Sequence, residues 1–269
     1  MKIYISIDME GLWGVASGFQ LQQGHPEHER GRKLMTEELN IVIKELFENG
    51  VKSVVVNDAH GGMYNVLIED LDPRVSLISG NQKPLSMMEG IDETFDGAIF
   101  MGYHPRAMTE KGSFDHTYSG KTIQKVTVNG EVVGEFGLNA RLAGYFDVPS
   151  ILVTGDDVVC KQVLEEANRV ATFAVKRTIS RYSAEALPKT KLLEGYHKKI
   201  VSLFETKDWS VVKPSNPVIG TVSFKESVMM EDVLWLSDFK RLSSHEVEFQ
   251  AKNYKEFYQK ILAIIKLAR

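Results

Sequence analysis

The chain has 269 residues, 43% apolar and 25% charged, the balance of a globular protein and not of a disordered one. A formal charge of -4 leaves no basic footprint for nucleic acid, and no apolar run reaches the roughly 18 residues of a membrane-spanning helix. The single cysteine, Cys160, excludes an intrachain disulfide framework and a multi-cysteine zinc site. Residues 2–8 alternate, with Ile3, Ile5 and Ile7 on one side and Tyr4, Ser6 and Asp8 on the other. That is the period of a strand and not the pattern of a secretory signal, so a cytoplasmic location is expected. A helix is predicted over 29–48, with Gly50 at its stop. The β-branched run 53–56 predicts a second strand feeding Asn57-Asp58-Ala59-His60-Gly61-Gly62. Further strands are predicted at 75–78 and 97–102, the latter ending in Tyr103-His104. Residues 123–133 predict a hairpin turning at Asn129-Gly130. A helix follows Glu135, then a strand at 150–153 that leads to Asp156 and Asp157 at a helix start. Beyond these, the pattern predicts a helix over 183–204, a strand over 218–224 and a closing helix over 248–267.

Alternating strands and helices predict an α/β fold with a central, mostly parallel sheet flanked by helices and a C-terminal α/β elaboration. The chain is read as one domain, 1–269, with a metal-binding core over about 1–180 and a sub-domain over about 181–269. Five residues with metal-ligating side chains fall where strands end: Asp8 and Glu10, His60, His104, and Glu135. Ligands collect outside the carboxyl ends of strands in open α/β sheets. Two imidazoles and three carboxylates suit zinc or another borderline divalent ion. Two tetrahedral ions offer about eight ligand positions. Five residues with one bridging would fill six of these, leaving room for water and substrate. Such a pair activates water, polarises a carbonyl and clamps a tetrahedral intermediate. Each residue also has an ordinary reading. Asp8 can form a turn, His60 can belong to a glycine-rich loop, His104 can shape the turn before Pro105, and Glu135 can favour a helix start.

Other candidates carry weaker signals. His25 and His28 could pair on a metal, but a solvated loop is the simpler expectation among Gln22, Gln23 and Glu27. Asp156 and Asp157 fit a helix cap, and Cys160 a buried small hydrophobe. Lys83 could contact a substrate carboxylate or an oxyanion, or equally be a surface lysine; Trp13 could wall a pocket, with core packing at least as strong an expectation.

The segments Ser6-Ile7-Asp8-Met9-Glu10-Gly11, Asn57-Asp58-Ala59-His60, Gly102-Tyr103-His104 and Gly134-Glu135-Phe136-Gly137-Leu138-Asn139-Ala140 occur in that order. Together they resemble the D-aminopeptidase family of zinc metallopeptidases. Arg30-Gly31-Arg32, Met35-Thr36-Glu37-Glu38, Leu77-Ile78-Ser79-Gly80 and Lys83-Pro84 extend the likeness, as do Ala174-Val175-Lys176 and Phe249-Gln250-Ala251-Lys252. The resemblance implies two Zn2+ per chain bridged by Asp8, with Glu10 and His60 on one ion and His104 and Glu135 on the other. It implies that His116 is the catalytic nucleophile or base, a role an imidazole suits and an adjacent Asp115 could tune. It also implies a ring-shaped homo-oligomer that removes N-terminal residues, with a D-preference, from short peptides. Asp115 and Tyr118 depart from the small, serine-flanked pattern associated with the family, which bears on substrate preference. Two other readings fit the same ligand types. One is a different two-metal hydrolase, acting on another amide, an ester or a phosphoester. The other is a non-catalytic, metal-stabilised binding or assembly protein.

Overall fold

The computed structural model describes residues 1–268. In chain order these form β1 (Lys2–Ile7), α1 (Gly18–Leu21), α2 (Pro26–Glu48), β2 (Ser53–Asp58), β3 (Ser76–Ile78), β4 (Gly97–Tyr103), β5 (Ile123–Val128), β6 (Glu131–Val133) and α3 (Glu135–Tyr145). They continue with β7 (Ser150–Asp156), α4 (Asp157–Glu166), β8 (Ala171–Ser180), β9 (Ser183–Ala186), α5 (Lys189–Thr206), β10 (Val218–Phe224), β11 (Phe239–Arg241), β12 (Glu246–Ala251) and α6 (Tyr254–Leu267). Among the described residues no helix is long and apolar enough to cross a membrane.

Seven strands make one sheet in the order β3-β2-β1-β4-β7-β8-β9, with every neighbouring pair parallel except β8 and β9. The alternation in β1 separates two cores. Ile3, Ile5 and Ile7 join Met35, Leu39, Val42 and Ile43 of α2 and Tyr196 and Ile200 of α5 on one face. Tyr4 joins Phe100, Leu138 of α3 and Tyr258 of α6 on the other. A strand covered on both faces needs an apolar run, and β4, Gly97–Tyr103, is buried along its whole length. The order reverses at β1: the chain goes first to β2 and β3 on one side, then to β4 on the other. That reversal opens a crevice at the carboxyl ends of β1 and β4.

A second sheet, β11-β12-β10-β5-β6, is antiparallel throughout. It contains the hairpin expected at Asn129-Gly130, and it joins strands from the middle of the chain to strands near its C-terminal end. Residues near 180 do not separate the two sheets, since β9 and α5 lie beyond them and pack with the larger one. Two expected helices start later than their sequence spacing suggests. Residues 183–186 pair with β8 as an edge strand, and α5 begins only after Pro188. Residues 246–251 alternate Val247, Phe249 and Ala251 inward and pair with β10, so the closing helix begins at Tyr254, capped by Asn253. In both places sheet pairing prevails over a local helical spacing. The long helix α2 instead starts earlier than expected, with Pro26 in its first turn and the His25 side chain accepting from Glu27 N.

Candidate metal centre

The carboxyl end of β1 is pressed against the end of β4. Asp8 N donates to Met101 O at 2.8 Å and Gly11 N to Gly102 O at 2.7 Å. There is no room for side chains at this crossing. A Cβ on Gly11 would lie 1.9 Å from Tyr103 O, and Gly102, at φ +67°, would place one 2.2 Å from Asp8 O. Gly102→Ala should therefore cost about 3 kcal/mol through strain and clash together, read as a fall in Tm of roughly 6–12 °C. An unchanged Tm would refute this account of the crossing.

The loop after β1 is also held from below. The buried Lys176 ammonium of β8 donates to Glu10 O at 2.5 Å and Val15 O at 2.6 Å, and burial lowers its pKa to about 8. Glu38 of α2 accepts from Trp13 N at 2.7 Å and from Tyr196 Oη at 2.5 Å. Burial raises the Glu38 carboxyl from 4.5 to about 7. The folded state thus holds an extra proton between those values. Its contribution to stability is complete below about 4.5 and is lost as pH rises through about 7, with a slope of at most about 1.4 kcal/mol per pH unit. Glu38→Gln should flatten that part of the stability profile. Urea denaturation on either side of the window checks it, and an unaltered profile would count against the assignment.

Three imidazoles approach three carboxylates at this end of the sheet. His60, in the loop after β2, points Nε2 at Leu21 O, 3.3 Å away, and turns Nδ1 toward Glu10 Oε2 at 2.8 Å and Asp8 Oδ1 at 3.2 Å. The loop itself is fixed by Asp58, whose carboxylate accepts from Val66 N and the Asn65 amide. His104, just beyond β4, donates Nδ1–H to Pro105 O at 3.0 Å. Its Nε2 then faces Glu135 Oε2 at 3.2 Å and Asp8 Oδ2 at 3.5 Å. Glu135 is the first residue of α3, and its Oε1 accepts from Tyr118 N at 2.6 Å. His116 donates Nδ1–H to Phe114 O at 2.8 Å, stacks on His104 with centroids 4.0 Å apart, and faces Glu135 and Glu10 through Nε2 at 3.6 and 3.9 Å. Each histidine uses one ring nitrogen on a backbone carbonyl, which orients the other toward carboxylate oxygens.

These groups strongly perturb one another. Burial and the neighbouring Glu10 raise Asp8 to about 7. Burial opposes charge on Glu10 and Glu135 as well, but His60 and His104 respectively hold them below the ordinary carboxylate range. Burial likewise opposes the charged imidazoles, yet Glu10 raises His60 well above its usual value and Glu135 raises His104 to about 10. For His116, burial and the facing His104 prevail and lower it. The field between the carboxylates favours positive charge, which a divalent cation supplies.

The donor set fits such a cation. His104 Nε2 is buried and has no hydrogen-bond partner. Asp8, Glu10 and His60 present donor atoms within 4.8 Å of one another, as do Asp8, His104 and Glu135. Asp8 belongs to both groups and turns a different oxygen to each histidine. Glu10, His104 and His116 form a third such group. The groups open into a cavity of about 150 Å³ lined by Glu10, His60, His116, Tyr118 and Glu135, with Met63 and Met87 as its apolar wall.

The structure decides among the alternatives left open for the weaker candidates. Asp115 does not contact His116; its carboxylate accepts from Arg181 and from Thr109 N. His28 is buried, not solvated, with Nε2 3.1 Å from Asn65 Oδ1, while His25 caps α2 and stacks on Phe19. Lys83 donates to Asn57 Oδ1 and Asp58 O, both at 2.6 Å, and does not line the cavity. Trp13 packs beside the α2 core and donates Nε1–H to Leu187 O. Asp156 caps α4 as expected, and Cys160 is buried.

Sequence reading overlooked a hydrogen-bonded chain behind the centre. Ser6 Oγ meets Tyr103 Oη at 2.8 Å, and Asn139 Nδ2 donates to that Tyr103 oxygen at 2.7 Å. Asn139 Oδ1 accepts from Tyr258 Oη at 2.7 Å and Tyr118 Oη at 3.1 Å. Ser6, Tyr103 and Asn139 all lie inside the motifs quoted above. That clustering was the one available signal, because Tyr258 reaches the site from the far end of the chain.

Comparison with known proteins agrees with this geometry. The D-aminopeptidase family model, Peptidase M55, matches residues 1–263. A D-aminopeptidase of Bacillus subtilis (strain 168) is 40% identical over 272 residues, covering 100% of this chain and 98% of the relative. A solved structure, the Zn-dependent D-aminopeptidase DppA from Bacillus subtilis, described as a self-compartmentalizing protease, superposes with a TM-score of 0.96 at 39% identity. That match covers 100% of this chain and 98% of the other. With donors gathered at the sheet's switch point and a family match over nearly the whole length, the chain belongs to the D-aminopeptidase family.

Proposed function

We propose that this protein is a zinc-dependent aminopeptidase that removes N-terminal residues, with a D-preference, from short peptides. The observation that carries the reading is the two donor groups that share Asp8, His104 with Glu135 and His60 with Glu10, with His104 Nε2 buried and without a well-formed hydrogen bond. Asp8 would bridge two ions, Glu10 and His60 would complete one, and His104 and Glu135 the other. Zinc bound there supplies Lewis acidity and eases the ionisation of water near neutral pH.

The chain's own residues then have distinct tasks. The backbone carbonyls of Leu21 and Pro105 orient His60 and His104. Tyr118 N fixes one oxygen of Glu135, leaving the other toward His104. His116 Nε2 faces the cavity with no hydrogen on it when Nδ1–H is held by Phe114 O, so it can take a proton from an attacking group and return one to the leaving amine. The narrow cavity and its methionine wall limit the water that reaches the reacting carbonyl. A ring-shaped homo-oligomer belongs to the same reading, supported by the self-compartmentalizing description of the solved relative. A cytoplasmic location is part of the same reading.

The test is release of amino acid from matched D-Ala-D-Ala and L-Ala-L-Ala by zinc-loaded protein, followed by chiral chromatography. Chelator-sensitive release confined to the D-peptide is expected. Release from the L-peptide alone would remove the D-preference. Faster turnover of phosphoesters than of either peptide would replace the peptidase reading with another two-metal hydrolase.

A further inference from the structure

The loop that carries His116 is restrained from outside the metal centre. Phe114 and Tyr118, on either side of His116, sit at φ +49° and +58°. Residues with side chains adopt that region only under restraint. One restraint comes from the turn between β8 and β9. Arg181 Nη1 donates to Asp115 O at 2.7 Å and to the Asp115 carboxylate, and Arg181 O accepts from Phe114 N at 3.0 Å. The Tyr182 ring meets Phe114 edge-on, with centroids 5.7 Å apart. The second Asp115 oxygen accepts from Thr109 N at 3.2 Å. Phe114 O, in turn, is the acceptor that sets the tautomer and direction of His116. Contacts therefore run without a gap from Arg181, through Asp115 and Phe114, to the imidazole.

We propose that Arg181 is a positioning residue for His116, holding the strained 114–118 loop so that Nε2 faces the cavity. The inference rests on the reading of His116 as the group that handles the proton. The Arg181 side chain is 40% exposed, and an ion pair at such a site contributes little to global stability. Its effect should appear in turnover and not in melting. Small displacements of a catalytic group are costly, about a hundredfold for 1 Å. Arginine suits the role because Nη1 holds both the Asp115 carbonyl and its carboxylate while Nε donates to Tyr182 Oη at 3.0 Å, a set of donors that lysine reproduces only in part.

The experiment uses the full zinc-loaded chain with D-Ala-D-Ala. Arg181→Ala should lower kcat by roughly 10- to 100-fold while KM, zinc content and Tm stay close to wild type. Arg181→Lys should recover part of the loss. In a His116→Ala background, Arg181→Ala should have no further effect, since the two residues act as one unit. Hydrogen–deuterium exchange should quicken at the Phe114 and His116 amides in Arg181→Ala. A wild-type kcat in Arg181→Ala, or an equal loss in both backgrounds, would overturn the proposal. So would a fall in kcat accompanied by loss of zinc or Tm with no recovery in Arg181→Lys. If the wild-type protein released no D-alanine, the peptidase reading would fail by itself. Exchange would then decide the restraint, and unchanged protection over 112–118 would refute it.

Discussion

Asp8→Ala should leave the protein unable to hold either zinc ion firmly. Asp8 is the residue shared by the group with Glu10 and His60 and the group with His104 and Glu135, and its two oxygens face different histidines. In the proposed two-ion arrangement, losing it would remove one ligand from each ion and leave Glu10, His60, His104 and Glu135 without the charge between them. If the proposed stoichiometry holds, metal analysis after gel filtration should fall from two zinc per chain toward none. His60→Ala and His104→Ala should each weaken one ion more than the other. Peptide turnover in Asp8→Ala should drop by more than about 100-fold, the upper range for losing merely a group that supports a ligand. Retention of one ion at wild-type affinity would sink the bridging assignment, whatever happened to activity.

His116→Ala should separate chemistry from metal binding. Its Nε2 stands 3.6 and 3.9 Å from Glu135 and Glu10, farther than His60 and His104 stand from their carboxylates. It stacks on His104 and borders the cavity. The expected outcome is a fall in kcat of about 10²- to 10⁴-fold, the usual range for a general acid–base group, with both zinc ions retained. Loss of zinc would make His116 a ligand, in line with its place beside Glu10 and His104 in the third donor group. Unchanged turnover would remove it from the mechanism and favour a non-catalytic or differently catalysed role for the loop.

Most of the candidate donors were legible because β1, β2 and β4 announce themselves by β-branched or alternating runs and Asp8, Glu10, His60 and His104 come just after them, while Glu135 opens the helix after the Asn129-Gly130 hairpin. Pairing order was less legible. Sequence spacing places the hairpin at Asn129-Gly130 but does not reveal that β5 pairs with β10, some ninety residues later. Ser183-Ala184-Glu185-Ala186 has weak strand propensity and becomes β9 only because the edge of β8 is available. Val247, Phe249 and Ala251 alternate, yet the apolar stripe of the adjoining helix absorbs them when the segment is read alone. His28 reads as polar loop because its partner, Asn65, approaches from a distant turn. Asp115 reads as a neighbour of His116 because adjacency in sequence says nothing of direction, and its carboxylate follows Arg181 instead. These misses share one cause: contacts between distant segments decide them.

The placement of the donors at the β1–β4 reversal also bears on how the molecule matures. Asp8, His60, His104 and Glu135 belong to four segments that meet only when β2, β1 and β4 stand side by side and α3 has docked. The set is complete in sequence once Glu135 has been made, but its members meet only when these elements have packed, so tight zinc capture follows assembly of the sheet's centre. Ligand binding confined to the finished state adds its free energy to the whole cooperative unit, about 2.7 kcal/mol when free ligand stands at 100 times Kd. Zinc bound at the finished centre would therefore add its stabilisation only to chains whose central strands are in register.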